Sequence, residues 1–344
     1  MDDFGALNIG IFELAIIIVS YQSAAWLRPC LRTVFAHMGD LHADVIVVDN
    51  ESRDGTTELV TNEFPEARVV HSKNRGFAHA NNQALATCNA RYVLFLNPDT
   101  EVLDGTFEEL VRAMDARPTL GLAGVRQVNR EGRLDLTIRR FPNALRALGD
   151  AFSAEHLPRR PAWLGERELD RAAYDREIAC DWTSGSFMLA RREAIQSAGF
   201  LDERFFMYSD ETDFCRRIKT AGWDVRHLPL MTIFHQGKGE AKPSIERLQA
   251  YTRALYARKH FSPLHRILYK GALMLRLLLR SAYAGGGDSG KRLRAANRAA
   301  LSTLLGRSPV PHGRPRYSVH PVERMDSSPT VDANPTPTGS ISQA

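Results

Sequence analysis

Three acidic clusters stand where apolar runs should turn. Asp49 closes Asp44-Val-Ile-Val-Val-Asp49 and is followed by Asn50, Ser52 and Asp54. Asn97-Pro98-Asp99 follows Arg91 to Leu96. The third cluster is Tyr208-Ser209-Asp210-Glu211-Thr212-Asp213. The first two place carboxylates at the carboxyl ends of strands, where open α/β sheets form their ligand crevices. A crowded carboxylate is costly unless a cation or hydrogen-bond donors accompany it. Singly, each cluster has the composition of a solvated turn or helix cap. As a set they point to a charged ligand, a metal, or both.

Each cluster suits a different task. Asp49 can accept hydrogen bonds from a nucleobase imide or a ribose hydroxyl. Pro98 biases Asn97 away from the helical region and can hold Asp99 beside a diphosphate-bound Mg²⁺ or Mn²⁺, since hard ions take oxygen ligands from carboxylates and substrate phosphates. His235, ending the last strand-like run, is a second metal-ligand candidate. Asp210 and Glu211 raise one another's cost of ionisation, which suits one of them to accept a proton. Asp213 either orients that pair or favours the start of its helix electrostatically. Between the first two clusters, Asn74, Arg75, Gly76 and Asn81 offer a close turn and polar groups near a helix N-terminus, which favours anions.

The elements that position these residues follow from periodicity. Strands are expected at 14–19, 44–49, 67–70, 91–96, 121–125, 182–190 and 223–235. Helices are expected at 25–38, 56–62, 76–87, 104–116, 191–198 and 211–220. Near-continuous apolar runs alternating with helices indicate a doubly wound, Rossmann-like, mostly parallel α/β sheet flanked by helices. Arg139-Arg140-Phe141-Pro142 suggests a mobile loop over the crevice. No GxGxxG follows the first strand and no P-loop motif occurs, which disfavours both phosphate-binding folds.

The chain has 344 residues, 44% hydrophobic and 25% charged, as expected of a soluble globular protein. Its 4 cysteines form no CxxC pair, so structural zinc and a disulfide framework are disfavoured. Met1-Asp2-Asp3 lacks the basic start of a signal peptide. Net charge is +5, yet the stretch from Arg253 to Arg316 holds 14 Lys/Arg against Asp288 alone, and the body before it is acidic. That asymmetry suggests an anionic surface met by one end of the molecule, with no nucleic-acid groove. Residues 264–283 are apolar but interrupted by Arg266, Lys270, Arg276 and Arg280. Such a helix fits a membrane interface better than a bilayer span, the alternative being a helix packed on the body. The expected division is a catalytic domain at 1–252, a basic amphipathic extension at 253–305 and a disordered tail at 306–344.

Together the motifs resemble glycosyltransferase family 2 proteins of the rhamnosyltransferase type. The matching strings are Val47-Val-Asp-Asn-Glu-Ser-Arg-Asp-Gly-Thr56, Asn74-Arg-Gly-Phe-Ala-His-Ala-Asn-Asn82, Leu96-Asn-Pro-Asp99 and Trp182-Thr-Ser-Gly-Ser-Phe-Met-Leu-Ala-Arg-Arg192. Gly199-Phe-Leu-Asp-Glu-Arg-Phe-Phe-Met-Tyr-Ser-Asp-Glu-Thr-Asp-Phe-Cys-Arg216 completes the ordered set. The resemblance implies a GT-A fold and inverting, metal-dependent transfer from a nucleotide-activated sugar, dTDP-rhamnose first among donors, to a lipid-linked saccharide of cell-wall, capsule or O-antigen type. It implies nucleotide-sugar contacts at Ser20, Tyr21, Asp49, Ser52, Asn74, Arg75, Gly76, Asn81, Asn97 and Asp99, and an acceptor or sugar site at Trp182, Thr183, Ser184 and Gly185. Metal would lie at Asp99 and His235, with catalysis at Glu211, Asp210 and Asp213. Family members commonly carry Glu-Asp where this chain has Asp210-Glu211, so either residue can be the base. A galactosyl- or N-acetylglucosaminyltransferase of the same fold, or a non-catalytic nucleotide-sugar-binding scaffold, are the competing readings. The expected location is the cytoplasm, peripheral on an anionic inner membrane face, with homo-oligomers left open.

Overall fold

The computed structural model describes residues 12–152, 161–237 and 243–307. The expectations for the extreme N-terminus, for residues 308–344 and for the glycine loop at 238–239 lie outside them. The described chain folds as a GT-A-like α/β unit with a C-terminal helical extension. Strands β1 (Phe12–Ser20), β2 (Ala43–Asp49), β3 (Arg68–His71), β4 (Ala90–Leu96), β5 (Thr100–Asp104), β6 (Leu120–Val128), β7 (Ile178–Ala179), β8 (Phe187–Arg191) and β9 (Asp224–His235) form one sheet. Its order is β3-β2-β1-β4-β8-β6-β9-β5, with β7 on β9. The strands β3, β2, β1, β4, β6 and β9 run parallel, while β8, β5 and β7 oppose them.

The continuous apolar run in β1 is explained by cover on both faces. Leu14, Ile16 and Ile18 pack with Leu27 and Val34 of α1 (Ala24–Ala36), Val60 of α2 (Thr56–Glu63) and Met114 of α4 (Phe107–Asp115). The alternate residues Ala15, Ile17 and Val19 pack with Ala80 of α3 (Phe77–Leu85), Ile195 of α6 (Arg192–Ala198) and Phe214 of α7 (Asp210–Thr220). Period-two alternation thus serves two cores.

Two expectations need correction here. The expected helix at 104–116 starts only at Phe107, because Thr106 and Glu109 form a reciprocal capping box. Its expected first residue belongs instead to β5, which pairs with β9. The expected strand at 182–190 begins at Phe187, since residues 182–186 turn back on themselves.

A third core joins α5 (Ala144–Ala151), α8 (Pro243–His260), α9 (Pro263–Ala282) and α10 (Gly287–Leu304), with Phe205, Tyr256, Tyr269 and Leu273 at its centre. The expected boundary at 252/253 falls inside the unbroken α8. Helix α9 has two apolar faces. Tyr269, Leu273 and Leu277 are buried, whereas Leu264, Ile267, Leu268 and Leu278 are exposed. Leu145 and Leu148 of α5, and Phe152 just after it, are exposed as well. Among the described residues no helix is long and apolar enough to cross a membrane.

Candidate active site

The donor-side crevice forms where β1, β2 and β4 end. Asp49 Oδ1 accepts from the Ser52 amide at 2.9 Å and Oδ2 from the Thr57 hydroxyl at 2.7 Å, so the carboxylate also organises the loop after β2. Asp54 does the same for α1, accepting from the Ala24 amide at 2.8 Å. Ser20 is fully buried beside Thr56, with hydroxyl oxygens 3.3 Å apart, and supports this loop instead of meeting solvent. Tyr21, by contrast, is 52% exposed. With Gln22, Glu51, Arg53, Asn74 and Phe206 it lines a cleft of about 470 Å³. Asn50 Nδ2 donates to Asn74 Oδ1 at 3.3 Å, and Glu51 accepts from the Asn74 amide at 3.2 Å. Gln22 and Glu51 hold φ of 53° and 68°, a left-handed conformation uncommon for such residues.

Gly76 is required for a different reason than close approach to a phosphate. Its φ is +108°, and a Cβ there would stand 2.5 Å from the Phe206 carbonyl oxygen. That carbonyl accepts from the Phe77 amide at 2.7 Å, so one of the amides at the start of α3 already has a protein partner. Arg75 is exposed beside it. Asn81 is fully buried, its Nδ2 donating to the Phe77 carbonyl, and so does not face the crevice. Its neighbour Asn82 is also buried. Asn82 Nδ2 donates to the Leu201 carbonyl at 2.9 Å and its Oδ1 accepts from the Leu201 amide. His79 Nδ1 lies 2.9 Å from Glu203 Oε2. These contacts clamp the segment leading to α7, and their sequence signal was limited to the polar residues of the Asn74–Asn82 string.

Beyond the end of β4, pairing of Thr100 with His235 brings β5 against the end of β9. Asp99 Oδ1 thereby lies 3.6 Å from His235 Nε2, and Asn97 Nδ2 lies 3.5 Å from the same nitrogen. His235 Nδ1 is buried without a hydrogen-bond partner among the described residues. No group of three or more His, Cys, Asp or Glu poised for a metal occurs among those residues. The donor set therefore fits a hard divalent ion whose remaining ligands come from water and a substrate diphosphate, and does not fit an all-protein metal cage.

The residues expected to form an acceptor or sugar site, 182–185, lie in the turn before β8. The Asn97 amide donates to the Ser186 carbonyl at 3.0 Å, the Ser184 and Ser186 hydroxyls are 2.9 Å apart, and Ser186 donates to Gln127 at 2.7 Å. Trp182 and Thr183 are buried: the indole donates to the Arg140 carbonyl at 2.9 Å, and Thr183 fills the space beside Gly124. Ser184 and Gly185 remain partly accessible. Glu211 lies over Gly185, its Cβ and Cγ 3.4 and 3.7 Å from where a side chain there would begin. The expected mobile loop at 139–142 is anchored. Arg139 and Arg140 amides donate to the Trp182 and Glu166 carbonyls at 3.1 and 2.7 Å, and the Phe141 amide donates to Asp181 at 2.8 Å.

Helix α7 presents the acidic pair from a strained entry, with Tyr208 and Ser209 at φ of 70° and 61°. Asp210 is 3% exposed. Burial first, and then the adjacent Glu211 charge, push its carboxyl well above the usual range. Glu211 is the more accessible member. Asp213 does not reach the crevice: it is wholly buried, bonded to Arg217 at 2.8 Å, Lys259 at 2.7 Å and His260 at 2.7 Å. Although burial pushes Asp213 up, His260 and then Arg217 and Lys259 hold it below the usual carboxylate range.

Fold and site thus describe a GT-A enzyme with nucleotide-sugar machinery. The profile of the family described as "Glycosyl transferase family 2" matches residues 15–196, and the chain belongs to that family. It is 26% identical over 316 residues to the N-acetylglucosaminyl-diphospho-decaprenol L-rhamnosyltransferase of Mycobacterium tuberculosis, covering 86% of this chain and 98% of that protein. It is 24% identical over 228 residues to rhamnosyltransferase WbbL of Escherichia coli, covering 64% and 82%. Among solved structures, the mannosyltransferase PcManGT of Pyrobaculum calidifontis, in complex with GDP-Man and Mn²⁺, superposes with a TM-score of 0.53 at 17% identity, covering 86% of this chain and 88% of that one.

Proposed function

We propose that this glycosyltransferase carries out inverting transfer of L-rhamnose from dTDP-rhamnose to a hydroxyl of a saccharide carried on a lipid diphosphate. The observation that carries the reading is the arrangement of two poles across one turn. Asp99 and His235, 3.6 Å apart, occupy the leaving-group side. Glu211, next to the buried Asp210, stands over Gly185 on the other, and the Asn97 amide to Ser186 carbonyl bond joins the poles. The rhamnosyltransferase names of the relatives support the sugar, and the diphospho-decaprenol acceptor of one supports the acceptor class.

In this mechanism the acceptor oxygen attacks the anomeric carbon from the face opposite the nucleotide. The carbon–oxygen bond to the diphosphate breaks with its electron pair staying on the diphosphate. Glu211 takes the acceptor proton, because it is the more accessible carboxylate of the pair. Asp99 and His235 would hold a Mg²⁺ or Mn²⁺ ion, which supplies positive charge to the leaving diphosphate. Tyr21 offers an aromatic wall to the nucleoside, and Asp49 fixes the loop around it. The exposed apolar face of α9, set among basic residues, would rest on the inner face of an anionic membrane.

Purified protein incubated with dTDP-rhamnose, Mn²⁺ and a short-chain prenyl-diphosphate N-acetylglucosamine should release dTDP and add one deoxyhexose mass to the acceptor. Transfer of a different sugar in a donor screen would replace the rhamnose assignment. Donor binding without nucleotide release from any donor and acceptor would make the protein a binding module.

A further inference from the structure

Residues 202–213 carry parts of two sites at once. Phe206 lines the donor cleft, and Glu211 stands over Gly185. Between them Tyr208 and Ser209 hold the left-handed φ of 70° and 61°. Backbone of this kind persists only where its surroundings over-determine it. On one flank α3 supplies contacts: His79 lies 2.9 Å from Glu203, and the Phe77 amide donates to the Phe206 carbonyl at 2.7 Å. On the other flank stands α8 of the C-terminal extension, with Thr252 against Ser209 at 3.4 Å.

One side chain of α8 reaches both ends of this segment. Lys259 Nζ donates to Asp202 Oδ2 at 2.7 Å, and it lies 2.7 Å from Asp213 Oδ1 and 3.0 Å from Oδ2. It also sits over the Phe205 ring at 6.0 Å, and Phe205 is buried in the third core. Neither carboxylate relies on Lys259 alone. Arg204 Nε donates to Asp202 at 2.9 Å, while Asp213 keeps Arg217 at 2.8 Å and His260 at 2.7 Å. Each end is therefore neutralised by other partners as well, and what Lys259 adds is a bond between the ends. A compact ammonium on a long stem suits that task, since it can meet carboxylates from two segments at one point.

We propose that Lys259 is a positioning residue for sugar transfer: by joining Asp202 to Asp213 it fixes Glu211 relative to the donor cleft wall at Phe206. The catalytic half of this assignment rests on the function proposed above; the pinning of the segment does not. Lys259 acts through the backbone, its ammonium being engaged by the two carboxylates.

Full-length K259M, K259R, D202N and K259M/D202N are compared with wild type by amide hydrogen exchange, dTDP calorimetry and steady-state kinetics, at a temperature where each is folded. L110A, which opens a fully buried site in the core under α4, serves as a control for lost stability. In K259M the amides of 206–211 should exchange about tenfold faster or more. Its kcat should fall about 10²-fold, the effect of a base displaced by about 1 Å, while dTDP affinity holds because the Phe77 bond keeps Phe206 in place. K259R, whose fork can reach both carboxylates, should recover much of the loss. D202N opens the bridge with Lys259 still on Asp213, so it keeps the comparison should K259M not fold. Its kcat should fall as well, and K259M/D202N should fall no further than K259M, because both changes break one unit. Wild-type kcat in K259M or D202N overturns the positioning role, as does an equal kcat loss in L110A. Losses that multiply in K259M/D202N overturn the bridge as the acting unit. Unchanged exchange at 206–211 overturns the pinning. Absence of sugar transfer by the wild-type protein to every acceptor defeats the function proposed above and the catalytic half of this assignment, while amide exchange still decides whether Lys259 pins the segment.

Discussion

Asp213 and His260 meet at 2.7 Å across 47 positions of sequence, and this bond ties the helix bearing the acidic pair to the C-terminal helices. The contact is one of a row. Thr252, Tyr256 and His260, spaced four apart on α8, meet Ser209, Arg216 and Asp213 around α7.

Replacing Asp213 by Asn should cost about 3 kcal/mol at pH 7, because a wholly buried carboxylate bonded to Arg217, Lys259 and His260 is lost. Asp213 is held below the usual carboxylate range, so its contribution is present above its unfolded pKa and is lost as pH falls through its lower native pKa. Urea denaturation of D213N should therefore converge with wild type at low pH. A constant difference down to that range would contradict the assignment.

Asp210 carries the opposite sign. Its native pKa is raised, so between the unfolded and native values the folded state binds more protons and stability falls as pH rises. D210N should melt higher than wild type at pH 7 and lose that advantage in acid. It should also retain more turnover than E211Q, because Glu211, the more accessible carboxylate, remains.

E211Q should keep wild-type dTDP-sugar affinity and lose about 10²- to 10⁴-fold in kcat. Near-normal turnover in E211Q together with an inert D210N would transfer the base role to Asp210.

For Asp99→Asn, folding should be preserved, since the side chain is partly exposed and its one close titratable neighbour among the described residues is His235. kcat should fall about a hundredfold or more, and the response to Mn²⁺ titration should flatten. Turnover identical to wild type at every ion concentration would remove Asp99 from the leaving-group side.

Gly76→Ala forces a Cβ to within 2.5 Å of the Phe206 carbonyl at φ +108°. A cost of about 1–3 kcal/mol is expected, with weaker dTDP binding as Phe206 shifts in the cleft wall. Unaltered melting and calorimetric affinity would show that the contact is not needed.

Paired I267E and L268E substitutions should abolish sedimentation with anionic vesicles while sparing stability, because both side chains are exposed. They test the membrane face better than truncation at Leu264, which would remove Tyr269, Leu273 and Leu277 from the third core. Unchanged vesicle binding would leave the stripe as a contact for another surface.

The central sheet was legible because β1, β2 and β4 are near-continuous apolar runs, the last two closed by Asp49 and Asn97, a pattern created by cover on both faces. Strand β5 was not, because only its pairing with β9 makes residues 100–104 a strand, and the local pattern blends into α4. The capping box at Thr106 and Glu109 was the available signal for that helix start. Polar residue type identified the site strings but not which members face outward. Ser20, Asn81, Trp182 and Thr183 share motifs with crevice residues yet are buried as supports. The Asp213 hub depends on packing between distant segments, which no spacing along the chain reveals.

Only Phe261, Ser262 and Pro263 separate His260, bonded under the acidic pair, from Leu264, where the exposed apolar stripe begins. The connection is short and packed, Phe261 being buried in the third core. On a bilayer, the proton-accepting carboxylate would stand at a set height above the lipid, and the enzyme would act as a ruler. An acceptor hydroxyl would be selected by its distance from the lipid anchor as well as by its sugar. Acceptors lengthened by one residue between diphosphate and target hydroxyl would then overshoot, however well their terminal sugar matched the pocket.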